Sequence, residues 1–261
     1  MIHQKFIKEW EKDFPWKEIS QVEQDLVISR AIVEIFSDDL LRKSLVFRGG
    51  TALHKVYISP QARYSEDIDL VQINTEPIHP VLKRIRERLN FLGTKRTVKQ
   101  HIHSNIMIYR FDSEIPPIVN MRLKIEINTR EHLNVLGVQE IPYKVENGWF
   151  SGECNVTGFA IEELLGSKLK ALYGRKKGRD LFDLYWAFTH LNIDSEKLLF
   201  CNKKYYENAE QKPPSNSQFL RNIEEKLTDV DFKNDIFSVI KSNIEYNSVT
   251  AWEKLKNELN F

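Results

Sequence analysis

Two aspartates one residue apart, Asp67 and Asp69, stand in the segment Arg63-Tyr64-Ser65-Glu66-Asp67-Ile68-Asp69-Leu70-Val71. Side chains alternate along a strand, so a strand here places both carboxylates on one face and turns Ile68 and Leu70 to the other. Paired carboxylates of that kind can be bridged by a divalent cation. Upstream, the apolar run Leu45-Val46-Phe47 leads through Arg48 into Gly49-Gly50 and then a helix-like stretch, Thr51-Ala52-Leu53-His54-Lys55-Val56-Tyr57. Glycines leave backbone amides uncovered, and uncovered amides at a helix start suit a phosphate. The spacing predicts a metal site beside a phosphate site.

A third carboxylate is within reach of the same idea. Met121-Arg122-Leu123-Lys124-Ile125-Glu126-Ile127-Asn128 alternates polar with apolar without a break, which predicts a strand with one buried face and puts Lys124 and Glu126 together on the other. If this strand lies beside the aspartate strand, Glu126 can reach the ion or a nearby hydroxyl; otherwise it is a solvated glutamate on an amphipathic strand. Farther along, helical spacing sets Lys168 on or beside the apolar stripe of Leu164 and Leu172. Asp183 is flanked by Leu181, Phe182, Leu184, Tyr185 and Trp186, where an unpaired carboxylate is costly, so it must face a cation. Lys168 and Arg179 are the candidates; an Arg179–Asp183 helix pair with Lys168 at the turn is the purely structural version.

The elements that must position these groups fall into blocks. Ser20 and Glu23 resemble a capping box, and Val22, Leu26, Ile28, Ile32, Ile35 and Phe36 recur at roughly helical spacing, predicting a long helix ahead of the first strand. From Leu45 to about Val138, strands alternate with helices: the glycine turn, the acidic strand, a basic helix near Val81 to Leu92, and strands around His101 to Phe111 and Met121 to Asn128. After about Thr157 the pattern is almost wholly helical. The expected class is α/β (α+β), with residues 1–156 forming a core with a mixed sheet and residues 157–261 a mainly helical domain.

Composition narrows the class of partners. At 261 residues with 41% hydrophobic content the chain can build an ordinary core, and a formal charge of +1 excludes a surface that is basic throughout. Contact with nucleic acid must then use local patches: Lys83-Arg84-Ile85-Arg86-Glu87-Arg88, Lys95-Arg96 with Lys99, or Arg175-Lys176-Lys177-Gly178-Arg179. Cys154 and Cys201 have neither metal-ligand spacing nor disulfide density, which predicts a reducing compartment. The charged start Met1-Ile2-His3-Gln4-Lys5 and the lack of any membrane-length apolar run predict a cytoplasmic protein with no membrane partner.

Together, Gly49-Gly50-Thr51-Ala52-Leu53, Arg63 to Leu70, the Lys124-Ile125-Glu126-Ile127 strand, and Lys168 with Arg179-Asp180-Leu181-Phe182-Asp183-Leu184-Tyr185 resemble the AbiEii-type nucleotidyltransferases. These are the toxin halves of type IV, abortive-infection toxin–antitoxin pairs within the polymerase-β-like nucleotidyltransferase superfamily. The resemblance spans roughly residues 45 to 190, and the interval from Gly50 to Asp67 is longer than in the minimal superfamily pattern.

The resemblance implies a polymerase-β-like core in which Asp67 and Asp69 ligate Mg²⁺ or Mn²⁺ and Gly49, Gly50 and Thr51 hold the triphosphate of an NTP. It further implies that Lys168 contacts that triphosphate, that Asp183 holds the lysine or the incoming base, and that Lys168 and Asp183 belong to the cleft. Glu126 joins as a third acid, for the metal or for a proton. Ser65 becomes a nucleotide-side position whose modification would bring negative charge beside the acids. The implied reaction moves NMP to an acceptor hydroxyl, the 3′ end of tRNA, with Arg175, Lys176, Lys177 and Arg179 against its backbone and a separately encoded antitoxin as partner. Competing readings are a nucleotidyltransferase for a small molecule or a protein, an idle interaction protein with the same fold, and a metal-dependent nuclease or glycosyltransferase using Asp-x-Asp.

Overall fold

The computed structural model describes residues 2–261. Residues up to His132, together with Val138–Phe159, form one compact unit; Leu133–Gly137 and Ala160–Phe261 form a second.

The first unit opens with helices α1 (Gln4–Glu11), α2 (Ile19–Phe36) and α3 (Asp39–Ser44). Strand β1 (Leu45–Arg48) then runs straight into helix α4 (Gly49–Ala52), which continues as a π-helical turn over Leu53–Tyr57. There follow β2 (Asp67–Gln72), α5 (His79–Arg88), a short 3₁₀ turn at Asn90–Leu92, β3 (Arg96–Gln100), β4 (Ser104–Asp112), β5 (Asn120–Asn128), β6 (Val138–Glu146) and β7 (Ser151–Phe159). The strands make one seven-stranded mixed sheet in the order β3-β4-β5-β2-β1-β7-β6. β2 is antiparallel to β1 and parallel to β5, while β1 is parallel to β7.

Helix α2 begins differently from the expectation. Its first residue is Ile19, and Glu18 is the cap, its N–H donating to Gln21 Oε1 at 3.3 Å. Ser20 lies inside the helix, and Glu23 instead receives the Glu114 N–H on its two oxygens at 3.2 and 3.0 Å. Burying that carboxyl pushes its pKa up to about 7. The helix is also buried on more than one side, with Val27, Ala31 and Val33 enclosed as well as the predicted stripe, because it packs between the sheet and neighbouring helices.

One buried ion pair ties α2 to the helical segment that follows the glycines. Lys55 Nζ lies 2.7 Å from Asp25 Oδ1 and donates to Ser29 Oγ at 2.9 Å, and Asp25 Oδ2 also accepts from Trp10 Nε1 at 2.9 Å. Loss of one partner from such a pair costs about 3–5 kcal/mol, so the helix after Gly49-Gly50 is held where it starts.

The second unit is helical: α6 (Ile161–Gly174), α7 (Gly178–His190), α8 (Ser195–Asn208), α9 (Asn216–Leu227), α10 (Val230–Asn234) and α11 (Ser248–Glu258). Its added segment is fixed by Glu163, whose carboxylate accepts from the N–H groups of Val135 and Leu136 and from the Tyr205 hydroxyl. No helix among the described residues is long and apolar enough to cross a membrane.

Candidate active site

The sheet register brings the acids of β2 beside the polar face of β5. Asp67 pairs with Lys124 and Asp69 with Glu126, so the side chains that alternation assigned to one face of each strand stand next to one another. On the opposite face Ile68, Leu70, Leu123, Ile125 and Ile127 are fully enclosed. That burial fixes which way the acids point, since a slip of one residue would carry every apolar side chain out of the core.

Lys124 occupies the centre of the acidic group. Its Nζ stands 3.0 Å from Asp67 Oδ2 and 3.2 Å from Glu126 Oε2. Burial works against its charge, but hydrogen bonds and attraction from Asp67 and Glu126 more than offset that and hold its pKa above the ordinary lysine value. Asp69 responds in the other direction: burial pushes its carboxyl up, Arg48 and Lys124 oppose the rise, and Asp67 and Glu126 add to it. An acid raised in this way is stabilised in its charged form by any added cation.

β1 supplies the remaining wall. Arg48 is registered with Asp69 and pairs with Glu131 at 2.9 Å. Gly49 follows with φ +81°, and a Cβ built on it would stand 2.5 Å from Asp69 Oδ2. This position requires glycine both for its backbone conformation and for the approach of the acid. Thr51 is anchored by its Oγ1 donating to the Asp67 carbonyl, which locks the helical segment to the start of β2.

Ser65 belongs to the strap entering β2. It is 5% exposed, and its Oγ accepts from Arg63 Nη1 at 3.0 Å. The same guanidinium nitrogen donates to the Tyr64 carbonyl at 2.9 Å.

In the second unit, Lys168 is a buried lysine held by two acids. Its Nζ lies 2.8 Å from Asp183 Oδ2 and 3.2 Å from Asp180 Oδ1. Arg175 closes on Asp180 as a fork, with Nε to Oδ2 at 2.7 Å and Nη2 to Oδ1 at 2.8 Å. Burial pushes the Asp180 carboxyl up, but Lys168 and Arg175 outweigh it and hold the group below the usual aspartate value.

Several expectations need correction. Arg179 does not pair with Asp183; it turns to Asp235, which lies 3.7 Å from its Nε and accepts its backbone N–H at 3.1 Å. Each base of the turn has an acid within reach, though acids are shared: Arg175 pairs with Asp180, Lys176 with Asp229, and Lys177 and Arg179 both with Asp235. Its charge is therefore offset in part within its own unit. Glu126 shares the face of Asp67 and Asp69, yet no cluster of three metal-binding side chains forms among the described residues. Lys124 stands between Glu126 and Asp67 instead.

Asp180 and Lys124 carry no site role in the sequence expectations, although the signal for each is present. Asp180 lies three residues before Asp183, on the same side of a helix, and Lys124 lies two before Glu126, on the same side of a strand.

A mixed sheet whose central strand carries two acids beside a glycine-started helix defines an α/β protein with the fold of known nucleotidyltransferase toxins. MenT4, a nucleotidyltransferase toxin from Mycobacterium tuberculosis H37Rv, matches with a TM-score of 0.60 at 13% identity, over 100% of this chain and 99% of that one. JHP933 from Helicobacter pylori, known from its crystal structure, matches with a TM-score of 0.55 at 20% identity, over 92% and 94%. No curated protein sequence matches the chain. The family described as "Nucleotidyl transferase AbiEii toxin, Type IV TA system" matches residues 30–254. The chain belongs to that family and is a nucleotidyltransferase toxin.

Proposed function

We propose that this protein transfers NMP from an NTP to an acceptor hydroxyl, with Mg²⁺ or Mn²⁺, and that the acceptor is the 3′ end of tRNA. The observation that carries the transfer chemistry is the approach of Asp69 to Gly49 on the face shared with Asp67. It sets Asp69, with Asp67 on the same face, against the start of a helical segment whose glycines leave its amides uncovered. Mg²⁺ commonly binds through one or two carboxylates together with substrate phosphates, so Asp67 and Asp69 suffice without a third protein acid.

In this reading the Gly49, Gly50 and Thr51 amides orient the triphosphate, and Asp67 and Asp69 hold the cation. The cation supplies charge neutralisation to the phosphoryl oxygens. Glu126, or one of the aspartates, receives the proton of the acceptor hydroxyl. The acceptor oxygen bonds to the α-phosphorus as the bond to the bridging oxygen breaks, and pyrophosphate leaves. Lys168 takes the role the resemblance implies, opposing the charge of that leaving group. For tRNA and for a separately encoded antitoxin the support is the family, whose toxins are one half of a two-component system.

The test is incubation of purified protein with Mg²⁺, each labelled NTP in turn, and separate pools of total tRNA and small hydroxyl compounds, resolved on a denaturing gel. One NTP is expected to label tRNA, and chelation or Asp69→Ala to abolish the label. Label that persists in purified Asp69→Ala overturns the metal assignment, and label confined to the small compounds overturns the tRNA acceptor.

A further inference from the structure

β2 stands between β1 and β5, and that order assigns sides to the reaction. Gly49 begins where β1 ends, so a triphosphate on the Gly49–Thr51 amides lies on the β1 side of Asp67 and Asp69. In phosphoryl transfer the attacking and leaving oxygens stand roughly in line across the phosphorus. An acceptor must then approach from the β5 side.

That side is an open sheet face continuous with the acids. Alternation carries Arg122 and Lys124 of β5, then Ile106, Ile108 and Arg110 of β4, then Lys99 of β3, all on the face of Asp67. From β2 to β3 this covers three strand spacings, about 14 Å. Arg110 and Arg122 are directly registered partners on adjacent strands. Like charges placed opposite each other in this way are destabilising, and an anion between them removes the penalty.

The contrast with the other basic clusters is sharp. Among the described residues, none of Lys99, Arg110 and Arg122 is in an ion pair; Arg110 Nη1 donates only to Thr97 Oγ1, at 2.7 Å. Lys83, Arg84 and Arg88 of α5, like the basic turn after α6, are matched by carboxylates. Two acids of β4 and β5 share the open face: Glu126, registered with Ile106 and held by Lys124 at 3.2 Å, and Asp112, beyond Arg110, which accepts from Asn120 Nδ2 at 2.5 Å. Beside Arg122 and Asp67 a cleft of about 270 Å³ opens, lined also by Gln21 and Gln24 of α2 and by Tyr64, Glu66 and Val119.

We propose that this face is the acceptor platform, and that its occupant is a single-stranded RNA end. The terminal nucleoside sits in the cleft beside Asp67, and the phosphodiesters behind it run across Arg122 and Arg110 toward Lys99. The half-buried aliphatic surface of Ile106 and Ile108 lies under the sugars and bases. Phosphate contacts of this kind position a strand without reading its sequence. The proposal rests on the transfer reading and adds the acceptor's place and direction of entry.

The experiment uses the full chain and reads binding and transfer separately. A fluorescent single-stranded RNA 12-mer ending in a free 3′ hydroxyl is titrated by anisotropy at several salt concentrations, with no NTP present. Transfer to total tRNA is measured in parallel. The Arg110→Glu/Arg122→Glu double variant is compared with Lys8→Glu/Lys144→Glu, which makes the same charge change away from this face, and circular dichroism and NTP binding check that each is folded.

RNA affinity and acceptor kcat/KM are expected to fall on the order of tenfold or more in the first variant only, with a salt slope shallower by about 1.4. NTP binding is expected to be unchanged. Equal RNA binding by the two variants overturns the platform, as does a wild-type protein that binds an acidic protein or small hydroxyl compound but no RNA. RNA binding lost in the first variant while wild type transfers nothing would sustain the platform and overturn the transfer reading.

Discussion

Asp69 presses against Gly49: a Cβ at position 49 would lie 2.5 Å from Asp69 Oδ2, where the backbone already has φ +81°. The acid proposed to hold the metal and the turn proposed to hold the phosphates are thus in contact, and one substitution separates their contributions. Gly93 provides the comparison, because it has φ +79° but nothing within 4 Å of a built Cβ. Gly93→Ala is expected to cost backbone strain alone, about 1–3 kcal/mol, and to leave transfer intact. Gly49→Ala carries positive-φ strain as well and also displaces Asp69, so its transfer rate is expected to fall about 100-fold. Urea unfolding and single-turnover transfer on both proteins check this; equal rates in the two would show that the contact does not matter to the chemistry.

Asp180 is expected to be as important to the second unit as Asp183. Asp180→Asn leaves Lys168 with a single acid and frees the Arg175 fork, and breaking a buried pair from one side costs about 3–5 kcal/mol. The folded-state pKa of Asp180 is depressed, so its stabilisation is present above the unfolded value of 3.8 and lost as pH falls through the folded one. The gap between wild type and Asp180→Asn should therefore be constant from neutral pH down to about 4 and close only below it. Denaturant midpoints across that range provide the measurement.

Glu23 has the opposite sign. Its carboxyl is raised from 4.5 to about 7 by burial, so its contribution to folding is full below 4.5 and is lost as pH rises through 7. Glu23→Gln keeps an acceptor for the Glu114 N–H and removes the titration. The variant is expected to show a flatter stability profile between pH 4.5 and 7 than wild type; parallel profiles in thermal unfolding would show that Glu23 does not set the slope.

Ser65 is enclosed, with its hydroxyl held by Arg63. Ser65→Ala removes one buried hydrogen bond, worth about 1 kcal/mol, and should leave transfer within a few-fold of wild type. Ser65→Glu adds charge two residues before Asp67 and is expected to abolish NTP binding. Calorimetric titration with NTP separates the two variants. Wild-type NTP affinity in Ser65→Glu would remove Ser65 from any silencing role.

Much of this site could be read from local order along the chain. The alternation of Asp67-Ile68-Asp69-Leu70 and of Leu123 to Ile127 needs only the two-residue period of a strand and one apolar core, and it orients both sets of acids correctly. Gly49-Gly50 between an apolar run and a helix likewise announces its turn, and Asp183 among apolar neighbours demands a cation, which Lys168 supplies. Each inference depends on residues within a turn or two of one another.

The rest came from partners distant in the chain, whose choice depends on geometry that no short window contains. Ser20 and Glu23 match a capping box, yet the helix starts at Ile19 under a cap made by Glu18 and Gln21, and Glu23 is taken by Glu114, 91 positions away. Arg175, Lys176, Lys177 and Arg179 read as a free basic patch, but Asp229 and Asp235 come back from later in the chain to pair with three of its four bases. Lys124 falls between Asp67 and Glu126 because β2 and β5 pair in parallel at one register, a choice made by the packing of the whole sheet. Side-chain direction is a local property of the backbone, whereas the neutralisation of a charge depends on which distant segment the core brings against it.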